Sequence, residues 1–219
     1  MLLDGSDLSL IYDLGTKHET SAVRNVNITL DRGEFVGIIG PSGSGKSSLL
    51  YLLSGLKTPT SGTVFYQNTD LDSLEERERS ELRRKHFGFV FQRHFLIDYM
   101  TVYENILLAS NEENAKEAKE SINSLLRKLH MEELASKRPS QLSGGQRQKT
   151  AIARALINKP DIIFADEPTA FLDHENAREV MNILEANREN TTVAVVTHDK
   201  SILYPADRVI ELWDGYIRR

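Results

Sequence analysis

The sequence predicts an α/β fold with a mostly parallel central sheet, and three observations carry that prediction. Short apolar runs, "EFVGIIG", "DIIFAD" and "TTVAVVTH", read as buried strands. Between them lie stretches whose apolar residues recur at helical spacing, the alternation from which parallel sheets are built. Finally, "GPSGSGKS", Gly40 to Ser47, follows one such strand and precedes an amphipathic run, the context a phosphate-binding loop requires.

Taken in order, "VNITL" alternates Val26, Ile28 and Leu30, a half-buried strand. "GKSSLLYLLSGL" reads as a helix through Leu49, Leu52, Leu53 and Leu56. "GTVFYQ" and "FGFVFQ" read as strands, and the charged stretch from Ser73 to Lys85 between them as a solvated helix. Asn111 to His130 is polar and helical with one apolar stripe, Ile122, Leu125, Leu126 and Leu129. A helix near Glu175 to Asn187 separates the last two apolar strands, and "DRVIELWDG" reads as strand and turn. The stretch from about Tyr99 to Lys137 interrupts the alternation and reads as a separate helical subdomain.

Composition narrows the function classes. The chain has 219 residues, 40% hydrophobic and 27% charged, enough for one sizeable core with a subdomain. A formal net charge of -5 argues against a general nucleic-acid binder. With no cysteine, disulfides and thiolate metal sites are excluded, which fits a reducing compartment. The opening "MLLDGSDLSLIYDLG" is acidic and broken by glycine, unlike a signal peptide, and no run of about 18 apolar residues exists to span a membrane.

The phosphate loop has a direct chemistry. Gly40, Pro41, Ser42, Gly43, Ser44 and Gly45 are small enough for backbone N–H groups to converge on phosphate oxygens at a helix start. Lys46 then reaches the β- and γ-phosphates, and the Ser47 hydroxyl is a Mg²⁺ ligand. Asp166 emerges at the carboxyl end of "DIIFAD", where open α/β sheets bind ligands, and is a second Mg²⁺ ligand through water. Glu167, next along, points to the other side of the strand and is a candidate general base, or else a simple capping or pairing group. His198 ends another apolar strand on the same edge and is placed to touch a γ-phosphate.

A second feature lies far from the first. In "QLSGGQRQKTAIARAL" a glycine pair opens a helix, although glycine costs roughly 1 kcal/mol against alanine in a helix interior. Ser143, Gly144 and Gly145 thus expose N–H groups at a helix start, a second anion site. One ATP needs one cradle, so the second suits a nucleotide held by another copy of the chain.

"LSGGQ", Leu142 to Gln146, resembles the signature of the ATP-binding cassette (ABC) ATPases, and the remaining motifs follow in that family's order across nearly the whole chain. The resemblance implies a P-loop NTPase (RecA-like) core over 1–219, with an N-terminal antiparallel β region and an inserted α-helical subdomain at approximately 99–157. It implies ATP and Mg²⁺ as ligands and a head-to-tail dimer, with Ser143, Gly144, Gly145 and Gln146 facing the partner's nucleotide. Gln92 would sense Mg²⁺ and the attacking water, Glu167 polarise that water, His198 contact the γ-phosphate, Asp173 couple the two sites and Tyr12 stack on adenine. Ser48 stands where threonine is commoner, Lys149 replaces a usual arginine, and Phe171 occupies a position usually small or polar.

Longer segments are similar to the ATPases of lipoprotein-release, macrolide-export and antimicrobial-peptide-resistance systems. That similarity implies a membrane permease docked near Gln92 to Ile106 and a place at the inner face of the cell membrane, with no nucleic-acid partner. Whether the pair is a homodimer stays open, as does a divisome-type signalling ATPase that transports nothing. A DNA-repair ATPase would carry a long coiled coil between the nucleotide motifs, and a translation factor two cassettes; neither is present. The length matches a bare cassette without a regulatory C-terminal domain.

Overall fold

Five short strands set the frame; Ile162–Asp166 and Thr192–Thr197 are buried along their whole length, as strands covered on both faces are, while the last of the five alternates buried and exposed residues. In a computed structural model that describes residues 1–218, they are β3 (Phe35–Ile39), β6 (Phe87–Val90), β7 (Ile162–Asp166), β8 (Thr192–Thr197) and β9 (Arg208–Trp213). They pair in parallel in the order β9-β3-β8-β7-β6, and β10 (Tyr216–Arg218) adds an antiparallel edge beside β9. A second sheet is antiparallel: β2 (Thr20–Leu30), β1 (Leu3–Tyr12), β4 (Ser61–Tyr66) and β5 (Thr69–Asp70).

Period-two alternation sends each central strand's side chains to two cores. Ile162 and Phe164 of β7 join Val36, Ile38 and Val196 on the face covered by α1 (Lys46–Leu53) and the antiparallel sheet. Ile163 and Ala165 join Phe35, Val193 and Val195 on the opposite face, under α5 (Gly144–Leu156) and α6 (His174–Glu185). A third core, with Val102, Ile106, Ile122, Leu126 and Met131, belongs to α3 (Val102–Leu107) and α4 (Ala115–Lys128). α5 serves both of the latter cores: Ala153 and Ile157 just beyond it pack in the helical unit, Ile152 and Leu156 on the sheet. α2 (Glu76–His86) buries no residue, as its charge pattern predicts.

Two details differ from the sequence reading. Leu56 lies beyond α1 and is exposed, because the helix ends at Leu53 with Ser54 closing its last turn. β1 is a strand despite its glycine and the polar residues Asp4, Ser6, Asp7 and Ser9. Its inward phase runs through Leu3 and Gly5, then Leu8 and Leu10, and the pairing with β2 shifts between those pairs. A bulge there, with Asp7 at φ 53°, hides the alternation that would announce the strand. Among the described residues, no helix is long and apolar enough to cross a membrane.

Candidate active site

Because β3, β8, β7 and β6 run parallel and adjacent, their carboxyl ends form one edge. The phosphate loop leaves β3, His198 follows β8, Asp166 and Glu167 end β7, and Gln92 follows β6. A cleft of 540 Å³ opens at this edge, and Ser42, Gly43, Gly45, Lys46, Gln92, Glu167 and His198 are among its lining. Ser47 and Ser48 line it too.

The loop is shaped for an anion. Gly45 sits at φ 97° as the N-cap of α1, and no side chain caps that helix start, so its first N–H groups face the cleft uncovered. A Cβ on Gly45 would also collide with the carbonyl of Ala22, so only glycine fits there. Ser44 Oγ is buried without a hydrogen-bond partner. The Lys46 ammonium donates to the carbonyls of Gly40 (2.9 Å) and Pro41 (3.0 Å), which curls the loop around its own cation.

Behind the loop, Asp166 is buried and both of its oxygens are engaged. Ser47 Oγ donates to Oδ1 at 2.8 Å and the Tyr51 hydroxyl to Oδ2 at 2.8 Å. Burial, and then the neighbouring Asp166 carboxylate, push the Tyr51 hydroxyl well above its ordinary pKa, so it stays a donor. Tyr51 was missed by motif reading; its signal was the i,i+4 spacing from Ser47, which puts both hydroxyls on one face of α1. A hydroxyl and a single carboxylate are hard oxygen donors suited to Mg²⁺, which takes its other positions from water and phosphate.

Glu167 departs from simple strand alternation. Its φ of 47° bends the chain just past β7, and its N–H still donates to Val196 O at 2.9 Å. The bend keeps the carboxylate in the cleft rather than on the far face. There it meets His198 Nδ1, 3.0 Å from each oxygen, and accepts from Thr197 Oγ1 at 3.2 Å. Thr197 was not foreseen. Backbone strain at such a position is a common mark of functional sites.

The other predicted residues lie elsewhere. Tyr12 is outside the cleft lining; its hydroxyl pairs with Ser48 Oγ at 3.2 Å and Lys57 sits over its ring. Ser143, Gly144, Gly145 and Gln146 also lie outside it. Ser143 caps α5, accepting from Gln146 N at 3.2 Å, while Gln146 Oε1 accepts from Ser143 N at 2.9 Å. The two glycines differ. A Cβ on Gly145 would lie 2.8 Å from Asn176 Cγ, whereas one on Gly144 would meet only Leu172 at 3.7 Å. Asp173 caps α6, accepting from Asn176 N at 2.9 Å and Asn176 Nδ2 at 2.7 Å. Asn176, unremarked in the sequence, thus joins the Asp173 cap to the glycine pair. Phe171 is 86% exposed at φ 66°, and Lys149 pairs with Glu179.

A glycine loop curled round a lysine, with a serine–aspartate pair beneath it at the carboxyl edge of a parallel sheet, defines a P-loop nucleotide hydrolase. More narrowly, the chain belongs to the ABC transporter family, whose profile matches residues 23–170. It is therefore an ATP-binding ATPase that works with Mg²⁺, a nucleotide-binding subunit of a transporter. A lipoprotein-releasing system ATP-binding protein LolD from Psychrobacter arcticus is 41% identical over 98% of this chain and 97% of its own length. A macrolide export ATP-binding/permease protein MacB from a Shewanella species is 40% identical over 92% of this chain, which spans 32% of that longer protein. Among solved structures, a dimeric post-hydrolysis state of the ATP-binding cassette MJ0796, bound to ADP and Pi, superposes with a TM-score of 0.91. It is 37% identical, with 99% of this chain and 97% of that one covered.

Proposed function

We propose that the chain hydrolyses ATP as one half of a head-to-tail pair that drives conformational change in a membrane permease. One observation carries this reading. The cleft is lined by strand ends and the phosphate loop, while the exposed Ser143 cap and the Gly144 backbone lie outside it. The backbone N–H groups of Gly144 and Gly145, which lie inside that Ser143–Gln146 cap, suit the nucleotide of a second copy. The dimeric form of the cassette relative supports such a pair.

Each side chain then has a task. Lys46 turns from the Gly40 and Pro41 carbonyls to the β- and γ-phosphates, and the N–H groups of Gly43 to Ser48 cradle them. Ser47 and Asp166, already 2.8 Å apart, hold the metal site, with Gln92 facing it across the cleft. Mg²⁺, when bound, neutralises charge on the β- and γ-phosphates. Glu167 takes a proton from water, and His198, at 3.0 Å, keeps its carboxylate oriented. Tyr12 stacks on the base, and Asp173 carries the state of one site to the other through the α6 cap.

The chain is a single 1–219 domain with a helical unit at approximately 99–157, and the permease-facing surface is the segment near Gln92 to Ile106 that leads into that unit. Its place is the inner face of the membrane. Relatives named for lipoprotein release and macrolide export support transport over signalling without cargo. The test is Glu167→Gln, which should retain MgATP, lose turnover by roughly 10²–10⁴ and accumulate as an ATP-bound dimer on size-exclusion chromatography. Adding Ser143→Arg should abolish that dimer while the monomer still binds ATP. Near-normal turnover in the first variant would overturn Glu167 as base; loss of monomer ATP binding in the second would overturn action in trans.

A further inference from the structure

Gln92 sits in a short arch, Phe91 to Phe95, that leaves β6. The two feet of the arch touch: the Phe91 and Phe95 rings meet edge to face at 5.5 Å, and Phe91 stacks on Phe89 at 5.7 Å. The far foot is strained, since Phe95 holds φ 46°, a conformation costly for a bulky side chain. One side chain from another element holds it. Arg154, near the end of α5, donates through Nη1 to Phe95 O at 2.6 Å and through Nη2 to His94 O at 2.7 Å. No carboxylate pairs with Arg154 among the described residues. Its charge is spent on two backbone carbonyls, a fork that lysine cannot reproduce.

The same helix begins at Ser143. Eleven positions separate the cap from Arg154 (154 minus 143), about 16 Å along an α-helix. The helix has no proline, and it is packed on both the sheet and the helical core, so it moves as a rod.

We propose that Arg154 is a positioning residue: it fixes the arch bearing Gln92 to the helix that starts at Ser143, so that Gln92 takes its place in the cleft from α5. This rests on Gln92 acting at the nucleotide, as the proposed function has it. A residue that only stabilised the fold would lower the melting temperature without acting through Gln92.

The experiment is a double-mutant cycle in turnover per folded protein, with Arg154→Lys, Gln92→Ala and the pair. Arg154→Lys should lower kcat about tenfold, the scale of losing a charged hydrogen bond, with KM for ATP little changed. In the Gln92→Ala background the same substitution should have almost no further effect. Hydrogen exchange of the Arg93 to Ile97 amides should rise while those of α5 stay protected. Independent, multiplying losses in the cycle would overturn the proposal, as would an unchanged kcat in Arg154→Lys. Full turnover in Gln92→Ala would instead overturn the role given to Gln92. If the lysine variant does not fold, Arg154→Gln, which keeps one amide donor, takes its place in the same cycle.

Discussion

The hydroxyl of Ser47 donates to Asp166 Oδ1 at 2.8 Å, although 119 positions separate the two residues. The contact joins the first turn of α1 to the end of β7, and Tyr51 completes it from one helical turn further on. Asp166 is therefore held through both oxygens by two hydroxyls of one helix.

Tyr51→Phe should separate the contributions to this pair. It leaves Ser47 and the loop intact but strips one donor from a buried carboxylate, at a cost of about 1–3 kcal/mol. Stability should fall by that order, and the Mg²⁺ concentration giving half-maximal turnover should shift. Asp166→Asn should raise it far more, because the only carboxylate in the pair is lost. Titrating Mg²⁺ at saturating ATP reads both; an unshifted Mg²⁺ requirement in Asp166→Asn would exclude it as a metal-side residue.

The glycine pair of α5 should split by function. Gly145→Ala places a methyl against Asn176, which is itself tied to Asp173, so overpacking of about 1–3 kcal/mol is expected in the isolated chain. Gly144→Ala meets only ordinary contact and should melt near the parent temperature, or slightly above it through better helix propensity. Asn176→Ala should relieve Gly145→Ala, which thermal melts of the three variants and the double variant will show. An equal loss from both glycine variants would contradict the packing account.

These cases mark what was legible in the sequence. The central strands, α1, α4, α6 and the order of motifs were readable because each rests on local periodicity or a short spacing. Tyr51, Thr197 and Asn176 were not, since their partners are assembled by the sheet from distant segments. Glu167 shows the limit of alternation: parity assigns it to the far face, and a single positive φ returns it to the cleft. β1 was hidden by a bulge that resets its phase. Gly145 also has a packing role that no motif announces, since a Cβ there would meet Asn176.

In the proposed docking segment, the structure sorts the apolar residues. Val102 is buried in the helical core, and Asn105, also buried, ties the backbone of Ile97, Met100 and Thr101. Phe95 and Tyr99 remain exposed, and an adjacent groove of 460 Å³ is lined by Phe89, Phe91, Leu108, Arg84 and Arg154. Tyr99→Asp should therefore leave folding within about 0.5 kcal/mol, as surface changes do, while weakening capture of the permease. Leu96→Asp, half-buried, should cost more in stability. Co-purification with the permease, alongside thermal melts, distinguishes the two. Intact assembly and coupled turnover in Tyr99→Asp would remove this surface from the interface.

The edge of the sheet remote from the cleft carries its own polar junction. Asp161, just before β7, accepts from the Tyr66 hydroxyl at 2.6 Å, lies 2.6 Å from His86 Nδ1 and meets Arg32 at 3.3 Å. It thereby joins β4, the end of α2 and β7. Burial raises its pKa, but the bonds from Tyr66, His86 and Arg32 outweigh that and hold the carboxyl below its ordinary value. A carboxylate with a depressed folded pKa contributes stability above the unfolded value, about 3.9, and loses it as pH falls through the folded value. Asp161→Asn should thus be less stable than the parent at pH 7, by about 1 kcal/mol after allowance for partial exposure, or roughly 2–4 °C. The gap should begin to narrow as pH falls past about 4 and close only below the depressed folded value, where the parent carboxylate is protonated too. Turnover per folded protein should be unchanged at pH 7, since this junction touches no residue of the cleft. Paired thermal melts from pH 8 to 3 decide it: a gap that stays constant across that range would show that the charge of Asp161 contributes nothing.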